Sequence, residues 1–415
     1  MNLGPPTLRF VDFEKKLENK SLGKVISIFN GFAFKSNDSC ESGARWLKIA
    51  DVGIQQIKHE HKNYLPESFI KNYSKFTLVE GDVVIALTRP VLGKKLKVAL
   101  VDTLASGALL NQRVGKIITK ENQLYVYYLM QTNRVITSIV NNIAGTDPPN
   151  LAPSEIKNIP VKVCSKDEQK KIADFLTSVD TKISQLIEKH CLLKDYKKGV
   201  MQQIFSQQIR FKDDDGNTFP EWNTHELAML SESGISNGVF NDPKKVGKGF
   251  RLINVKDMYK GDSIEYSELT LLDLEPKLFE KNKVKYGDIF FTRSSIVPTG
   301  IAFSNVNLSE KEDITFDGHL MKISPNKKLV DPLFLAYYLR SYAPRKALVS
   351  RGKQSTMTTI AQDDIKDIKL NIPALKEQQK IAQFLQSLDK KINAVNEQIE
   401  QTKLFKKGLL QQMFV

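Results

Sequence analysis

Three short motifs have residue types that could do chemistry, and each lacks a part that its reaction needs. Residues 147–150, Asp-Pro-Pro-Asn, carry the acidic residue and two prolines that precede a base-stacking ring in amino-methyltransferases. Asn150 stands where that ring would hold a flipped base. The triplets 168–170 and 275–277 have the Glu-x-Lys spacing of a nuclease metal site, but no paired upstream aspartate motif accompanies them. None of the three predicts catalysis.

Nucleotide-binding and metal-binding patterns are also missing from the sequence. No G-x-x-x-x-G-K-[ST] loop occurs, which argues against ATP hydrolysis by this chain. His59 and His61 have no further ligand at metal-site spacing, so we interpret them as surface residues. The sequence predicts a chain without catalytic residues and without a metal or cofactor of its own.

The remaining candidates are cations and amides of a binding surface. The chain has 415 residues, with 61 Lys and Arg against 47 Asp and Glu and a formal net charge of +14. This balance favours a polyanionic partner, either nucleic acid or an anionic membrane surface. Arg pairs with guanine and Asn or Gln with adenine in the major groove, while Lys supplies contacts to phosphate.

Arg89 and Arg293 are the strongest single candidates, because each follows a Gly-Asp pair and an apolar strand by a few residues. We match them as equivalent positions in two parts of the chain. The candidate DNA-binding residues in the first part are Asn30, Arg89, Lys94, Lys95, Lys97 and Arg113. Those in the second part are Lys244, Lys245, Arg251, Arg293, Ser294, Ser295, Lys353 and Gln354.

An internal repeat identifies the elements that must position these residues. Residues 168–205 match residues 377–414 at a shift of 209, with 19 identities in 38 positions. Their apolar residues alternate in steps of four and three, which is typical of a coiled-coil seam. The pattern predicts two spacer helices in segments 164–206 and 373–415. The residues expected to pair the helices, or to dock partners, are Phe175, Leu176, Val179, Ile183, Phe384, Leu385, Leu388 and Ile392. We expect the first four to pack against the second helix rather than on their own block.

Two blocks outside the helices, 1–163 and 207–372, repeat more faintly. Short β-branched runs between Gly, Asn and Asp turns predict strands in both. The fold class is therefore α+β, with two similar mixed α/β blocks and two long helices that form an antiparallel coiled coil of pseudo-twofold symmetry. The matched segments are Leu8-Arg9-Phe10 with Ile209-Arg210-Phe211, Asn30-Gly31 with Asn237-Gly238, residues 49–52 with 255–258, Gly81-Asp82 with Gly287-Asp288, and Tyr127-Tyr128-Leu129 with Tyr337-Tyr338-Leu339.

The order block, helix, block, helix, with E-Q-x-K-I-A-x-F-L and D-x-K-I in each helix, resembles the DNA specificity (S) subunit of type I restriction-modification systems. The resemblance covers essentially the whole chain. It implies that each block is a target-recognition domain for one half of a split, asymmetric DNA site. At the position of Asp147 the family often has Gln, and Gln354 keeps that residue in the second block.

The resemblance also implies a division of labour with partner subunits. The helices would form a spacer between the two readers and would dock two modification subunits, which hold S-adenosylmethionine and methylate adenine. Restriction subunits, with ATP and magnesium, would complete the endonuclease. This chain would bind double-stranded DNA and no membrane, and would be non-catalytic by itself.

A scaffold protein is the alternative from another class. A coiled-coil adaptor whose basic loops bind proteins or anionic surfaces would explain the helices, but not two matched blocks with Arg, Asn and Gln in their loops. No apolar run approaches a membrane span, no secretory signal opens the sequence, and three scattered cysteines do not form a disulfide framework. We expect a cytoplasmic protein.

Overall fold

The computed structural model describes residues 6–143, 148–354 and 357–414. It divides the chain into two compact units, residues 1–187 with 397–415 and residues 188–396. Each unit contains one block and a segment of both long helices. Within the described ranges, no helix is long and apolar enough to cross a membrane.

The first block is built from small sheets and short helices. Its four-stranded antiparallel sheet has the order Ile26–Asn30, Val114–Thr119, Val83–Ala86, Val98–Leu100. The other strand groups are Glu18–Ser21 with Pro160–Val163, Tyr64–Leu65 with Ala44–Leu47 and Leu109–Leu110, and the hairpin Val91–Leu92 with Lys95–Leu96. The α-helices are Leu22–Val25, Ser68–Asn72, Gln123–Leu129, Asn133–Asn142 and Pro153–Ile156.

The second block repeats the first three of these strand groups in the same order. Its four-stranded sheet has the order Ser231–Asn237, Leu320–Pro325, Ile289–Thr292, Ser304–Val306. The other groups are Asn223–Glu226 with Lys369–Ile372, Thr270–Leu272 with Val246–Ile253 and Ile314–Phe316, and Ser294–Ser295 with Thr358–Thr359 and Lys353–Gln354. The α-helices are Pro276–Lys281, Pro332–Arg340, Tyr342–Ser350 and Gln362–Ile365. The last strand group extends a contact that the first block makes only as the isolated bridge between Thr88 and Asn150.

Equivalent ion pairs hold the four-stranded sheets. In the first block, buried Asp82 follows Gly81 and pairs with Lys116 at 2.6 Å. In the second block, buried Asp288 pairs with Lys322 at 3.2 Å. The predicted match of the two Gly-Asp segments is therefore confirmed, and strand residues 206 positions apart occupy equivalent places.

The two long helices are Lys166–Phe205 and Leu375–Met413. The first turn of each helix contains a buried glutamate, which accepts hydrogen bonds from an arginine near the start of the block that precedes the helix. Arg9 donates to Glu168 at 2.7 Å, and Arg210 donates to Glu377 at 2.9 Å. The neighbouring rings pack edge to face as Phe10 on Phe175 and Phe211 on Phe384.

The helix seam packs on its own block as well as on the other helix. In the first unit, Leu176 and Val179 belong to one hydrophobic cluster with Leu409 and Leu410 of the second long helix and with Tyr128 of the first block. These residues do pack against the second helix, but the expectation that they would not pack on their own block is wrong. Each block contributes an apolar helix that packs on the same seam. A heptad pattern cannot distinguish packing against the block from packing against the other long helix.

The second unit has the same arrangement with the helices exchanged. Leu385 and Leu388 of the second long helix share a cluster with Ile204 of the first long helix and with Phe334 of the second block. Burial of these apolar side chains from three elements makes each helix segment part of the core of its unit.

A lysine and an aspartate pair the two helices in each unit, and one member of each pair is buried. In the first unit, Lys406 lies 2.6 Å from Asp180, which also accepts the Tyr128 hydroxyl at 2.9 Å. In the second unit, Lys197 pairs with Asp389, which accepts the Tyr337 hydroxyl at 2.6 Å. We call each set a seam lock. The two lysines, and likewise the two aspartates, are related by the helix repeat of 209 residues.

The seam locks correct one sequence match. Tyr128 is equivalent to Tyr337, and the N-cap residues Asn122 and Asp331 are also 209 positions apart. The match of Tyr127-Tyr128-Leu129 with Tyr337-Tyr338-Leu339 is therefore out of register by one residue. Identical letters suggested that alignment, whereas the hydrogen bond to the aspartate decides which ring faces the seam.

Candidate nucleic-acid interface

Four loop segments of the first block meet at one end of its sheet, which we call the first tip. The meeting follows from strand register, since the segments leave neighbouring strands at the same edge and bond to one another through their backbones. A Cβ at Gly31 would lie 2.3 Å from the carbonyl oxygens of Leu110 and Asn111, so only glycine fits there. The bonds are Gly31 N–H to Val114 C=O, Gln112 N–H to Phe32 C=O, Leu87 N–H to Arg113 C=O, and Arg89 N–H to Pro149 C=O.

The second block brings together the same four segments, which form the second tip. Gly238 repeats the close approach, since a Cβ there would lie 2.2 Å from the Phe316 carbonyl oxygen. The match of Asn30-Gly31 with Asn237-Gly238 is confirmed. The bonds are Val239 N–H to Phe316 C=O, Gly318 N–H to Val239 C=O, Arg293 N–H to His319 C=O, and Ile360 N–H to Arg293 C=O.

Arg89 and Arg293 are both at the tips but are not equivalent. Leu87 and Arg293 make the same backbone bond, to Arg113 and His319 respectively, and lie 206 positions apart. Arg89 is therefore equivalent to Ser295, and the predicted pairing is wrong by two residues. Both segments contain the letters Thr-Arg, but strand register decides equivalence, and it places Ala86 and Thr292 at the same ladder position.

The first tip is cationic and exposed. Arg89 has a φ of +47°, and its exposed side chain forms no hydrogen bond or ion pair with another residue that the structure describes. Lys94 lies in the turn of the adjacent hairpin, and Lys95 begins its second strand. Burial lowers the pKa of Lys97, and the positive charges of Lys58 and Arg89 lower it further. Cations that repel one another, with no acidic partner in the part of the tip that the structure describes, favour an anionic ligand.

The second tip contains a cleft. Arg293 donates from its guanidinium to the Gly318 carbonyl at 2.9 Å, which fixes the side chain along one wall. The His319 Nδ1 donates to buried Asp317 at 2.7 Å, which leaves Nε2 directed away from that carboxylate. The side chains that line the cleft include Asn237, Phe240, Asn241, Arg293, Ser294 and His319.

The other predicted residues divide into two groups. Asn30 and Arg113 lie in the exposed first tip, Ser294 and Ser295 form the edge strand of the second, and Lys244 and Lys245 are exposed on the turn Pro243–Lys245 beside Asn241. Lys353 pairs with Asp364 at 2.6 Å, and Arg251 donates to the Leu269 carbonyl at 2.8 Å, with its guanidinium over the Tyr266 ring. These last two cations already have internal partners.

Two predicted positions lie outside what the structure describes. Asp147 falls in the gap between residues 143 and 148, and the side chain of Gln354 is likewise not described. Any base contact by either residue stays a prediction.

Sequence reasoning missed two residues of the second tip, Phe240 and His319. Phe240 follows the recognised Asn237-Gly238 pair by two residues, and its side chain is 80% exposed. His319 occupies the place of Arg113. A search that carried the repeat into the loops by strand register would have found both.

The arrangement has the chemistry of a binding surface. In the described ranges no cluster of three or more His, Cys, Asp or Glu could hold a metal ion. The tips instead present guanidinium, ammonium, amide and imidazole groups on rigid frames. These groups recognise phosphates and base edges.

Comparison with known sequences identifies the family. The model of the type I restriction modification DNA specificity domain matches this chain twice, over residues 14–190 and 221–403. The chain is 23% identical over 407 residues to the EcoBI specificity subunit of Escherichia coli, which covers 91% of this chain and 80% of that protein. It is 31% identical over 194 residues to the MjaVIII specificity subunit of Methanocaldococcus jannaschii, an alignment that spans 46% of each protein.

Solved structures show the same fold. The S subunit from M. genitalium is similar with a TM-score of 0.57 and 14% identity, covering 99% of both chains. A chain from a study of complex assembly and conformational transition of the type I R-M system has a TM-score of 0.55 and 17% identity, covering 100% of this chain and 98% of that one. With both blocks matched by the family model, the chain belongs to the type I restriction-modification DNA specificity family.

Proposed function

We propose that this chain is the specificity subunit that reads a bipartite, asymmetric DNA site and directs adenine methylation and restriction by partner subunits. The observation that carries the proposal is the pair of tips. Two blocks with the same strand order deliver the same four segments to a tip, yet the side chains there differ. A repeated frame with different contact residues fits two readers of different sequences.

Each tip would read one half-site. The first tip offers Arg89 and Arg113 for guanine edges, and Lys94 and Lys95 for phosphates. The second offers Arg293, amides and a histidine, with Lys244 and Lys245 beside them. The chain would be non-catalytic by itself. Two modification subunits would bring S-adenosylmethionine, and restriction subunits would bring ATP and magnesium.

Selection from a random duplex pool tests this proposal. The chain is purified with its modification partner, and bound duplexes are sequenced after washing at rising salt. We expect affinity to fall steeply with salt and the retained duplexes to share two short motifs at a fixed separation. Equal retention of random duplexes at every salt concentration would contradict the proposal, and would restore the adaptor alternative.

A further inference from the structure

An exposed phenylalanine stands at the mouth of the cleft in the second tip. Phe240 follows Val239, which is buried and bonded to the Phe316 carbonyl oxygen. Gly238 holds the preceding peptide against the backbone of Phe316 and Asp317. The chain is therefore fixed immediately before Phe240, and the ring is 80% exposed. A single exposed apolar side chain is ordinary, so its surroundings decide what it means.

Two residues that line the cleft each have a buried polar atom without a partner. The Asn241 Oδ1 and the Arg293 Nε are buried and have no hydrogen-bond partner, and they are two of eight such side-chain atoms in the described ranges. Both residues line this cleft. Each missing hydrogen bond carries a free-energy cost. Because both atoms are buried, a ligand with a polar edge relieves this cost only if the two side chains turn toward it.

His319 completes the polar side of the cleft. Its Nδ1 donates to Asp317, so the ring orientation is fixed while the side chain stays 69% exposed. A DNA base pair offers a polar edge to such groups, and Phe is among the side chains that make the apolar contact to a base in the major groove.

The first block has no aromatic residue at the equivalent position. The backbone bonds that follow Gly31 and Gly238 make Phe32 equivalent to Val239, so Ala33 is equivalent to Phe240. Leu87 likewise replaces Arg293. The exposed ring and the guanidinium of Arg293 are therefore features of the second block, and the first half-site supplies an internal control.

We propose that Phe240 makes an apolar contact with a DNA base at the mouth of this cleft and determines specificity in the second half-site. This inference rests on the proposed function. Asn241, Arg293 and His319 hold the polar edge of the same base pair or of its neighbour. Phe240 contributes to discrimination between bases, whereas the surrounding lysines bind any duplex.

The test compares methylation motifs in cells. The wild-type chain, F240A and F240L are each expressed with the modification partner in a host without other adenine methylation, and N6-methyladenine is mapped across the genome. For F240A we expect about tenfold weaker discrimination at one or two positions of one half-site, and an unchanged motif in the other half. F240L keeps an apolar side chain and should retain part of the discrimination.

Y286A is the matched control. Tyr286 is 45% exposed in the same block, but it precedes the strand Ile289–Thr292, whose other end leads into the cleft. It should leave both half-sites unchanged. Melting temperatures of all variants should equal the wild-type value, because Phe240 has little contact to lose.

The outcomes separate this inference from the proposed function. A wild-type bipartite motif that F240A leaves intact in both halves overturns the role of Phe240 and leaves the function standing. A wild-type chain that directs no bipartite methylation overturns the function itself. Equal loss in both halves with F240A also overturns the inference, because the ring belongs to one tip.

Discussion

In the first block the tip presents Arg89 and Arg113, whereas Ser295 and His319 stand at the equivalent places in the second. The frames behind these tips keep the same strand order and the same aspartate-lysine pair in the sheet. The two blocks therefore share the residues that set backbone register and differ in the residues that face outward at the tips. Such a division suits a protein that must change its ligand without refolding.

The seam locks show a second contrast. In the first unit the lysine is the more buried partner, with Lys406 6% exposed and Asp180 31% exposed. In the second unit the aspartate is the more buried partner, with Asp389 8% and Lys197 15% exposed. Burial lowers the pKa of Lys406 in one lock and raises the pKa of Asp389 in the other. In the first unit the lysine is therefore the residue shielded from water, and in the second unit it is the aspartate.

Breaking the seam locks should give the largest effects, with opposite ranking in the two units. K197M leaves the Asp389 carboxylate buried without its cation and should lower the free energy of unfolding by about 3–5 kcal/mol, more than D389N does. In the first unit, D180N should cost more than K406M because it leaves the buried ammonium unpaired. Chemical denaturation of the four variants measures this ranking. The proposed contrast between the units is wrong if the lysine variant is the more destabilised of the two in both units, or the less destabilised in both.

Arg89 should matter for one half-site only. R89A removes a guanidinium from the first tip and should weaken discrimination there by about 1–3 kcal/mol, or roughly fivefold to 150-fold. R293A should affect the other half, and the ratio of affinities for intact and half-scrambled duplexes measures both. If R89A acted equally on both halves, the assignment of one reader to each block would be wrong.

The lysines of the hairpin should act without regard to sequence. K94A/K95A removes two charges and should weaken binding of target and random duplexes alike, with the slope of log affinity against log salt reduced by about 2. Titrations at 50 to 200 mM salt measure this slope. A change in base preference at constant slope would show that these lysines read bases.

Lys406 should give the smallest effect, a pH dependence of stability. Its folded pKa lies below the unfolded value, chiefly because of burial, so the folded chain releases this proton first. Stability then rises with pH as the pH approaches the unfolded value of about 10.4. The stability of wild type relative to K406M should therefore increase between pH 8 and pH 10. A constant difference across this range would show that the pKa of Lys406 is not lowered.

The sequence predicted the repeated elements better than it predicted which loop residues lie next to one another. The helix repeat of 209 residues, the paired Gly-Asp segments and the Arg9 and Arg210 segments all reappear as equivalent contacts, because each rests on residues whose burial fixes their type. The tips were only partly predictable. Strand register, which is a long-range property, brings the segment of Leu87 and Arg89 to Arg113 and Pro149. The shared Thr-Arg letters place Arg293 two residues out of this register.

The most direct test of the central claim is a map of N6-methyladenine in cells that carry this chain and its modification partner, compared with the same map for R89A. Two readers on one frame predict a bipartite motif of fixed spacing in which R89A relaxes one half and preserves the other. A single uninterrupted motif, or relaxation of both halves together, would contradict the claim that each block reads its own half-site.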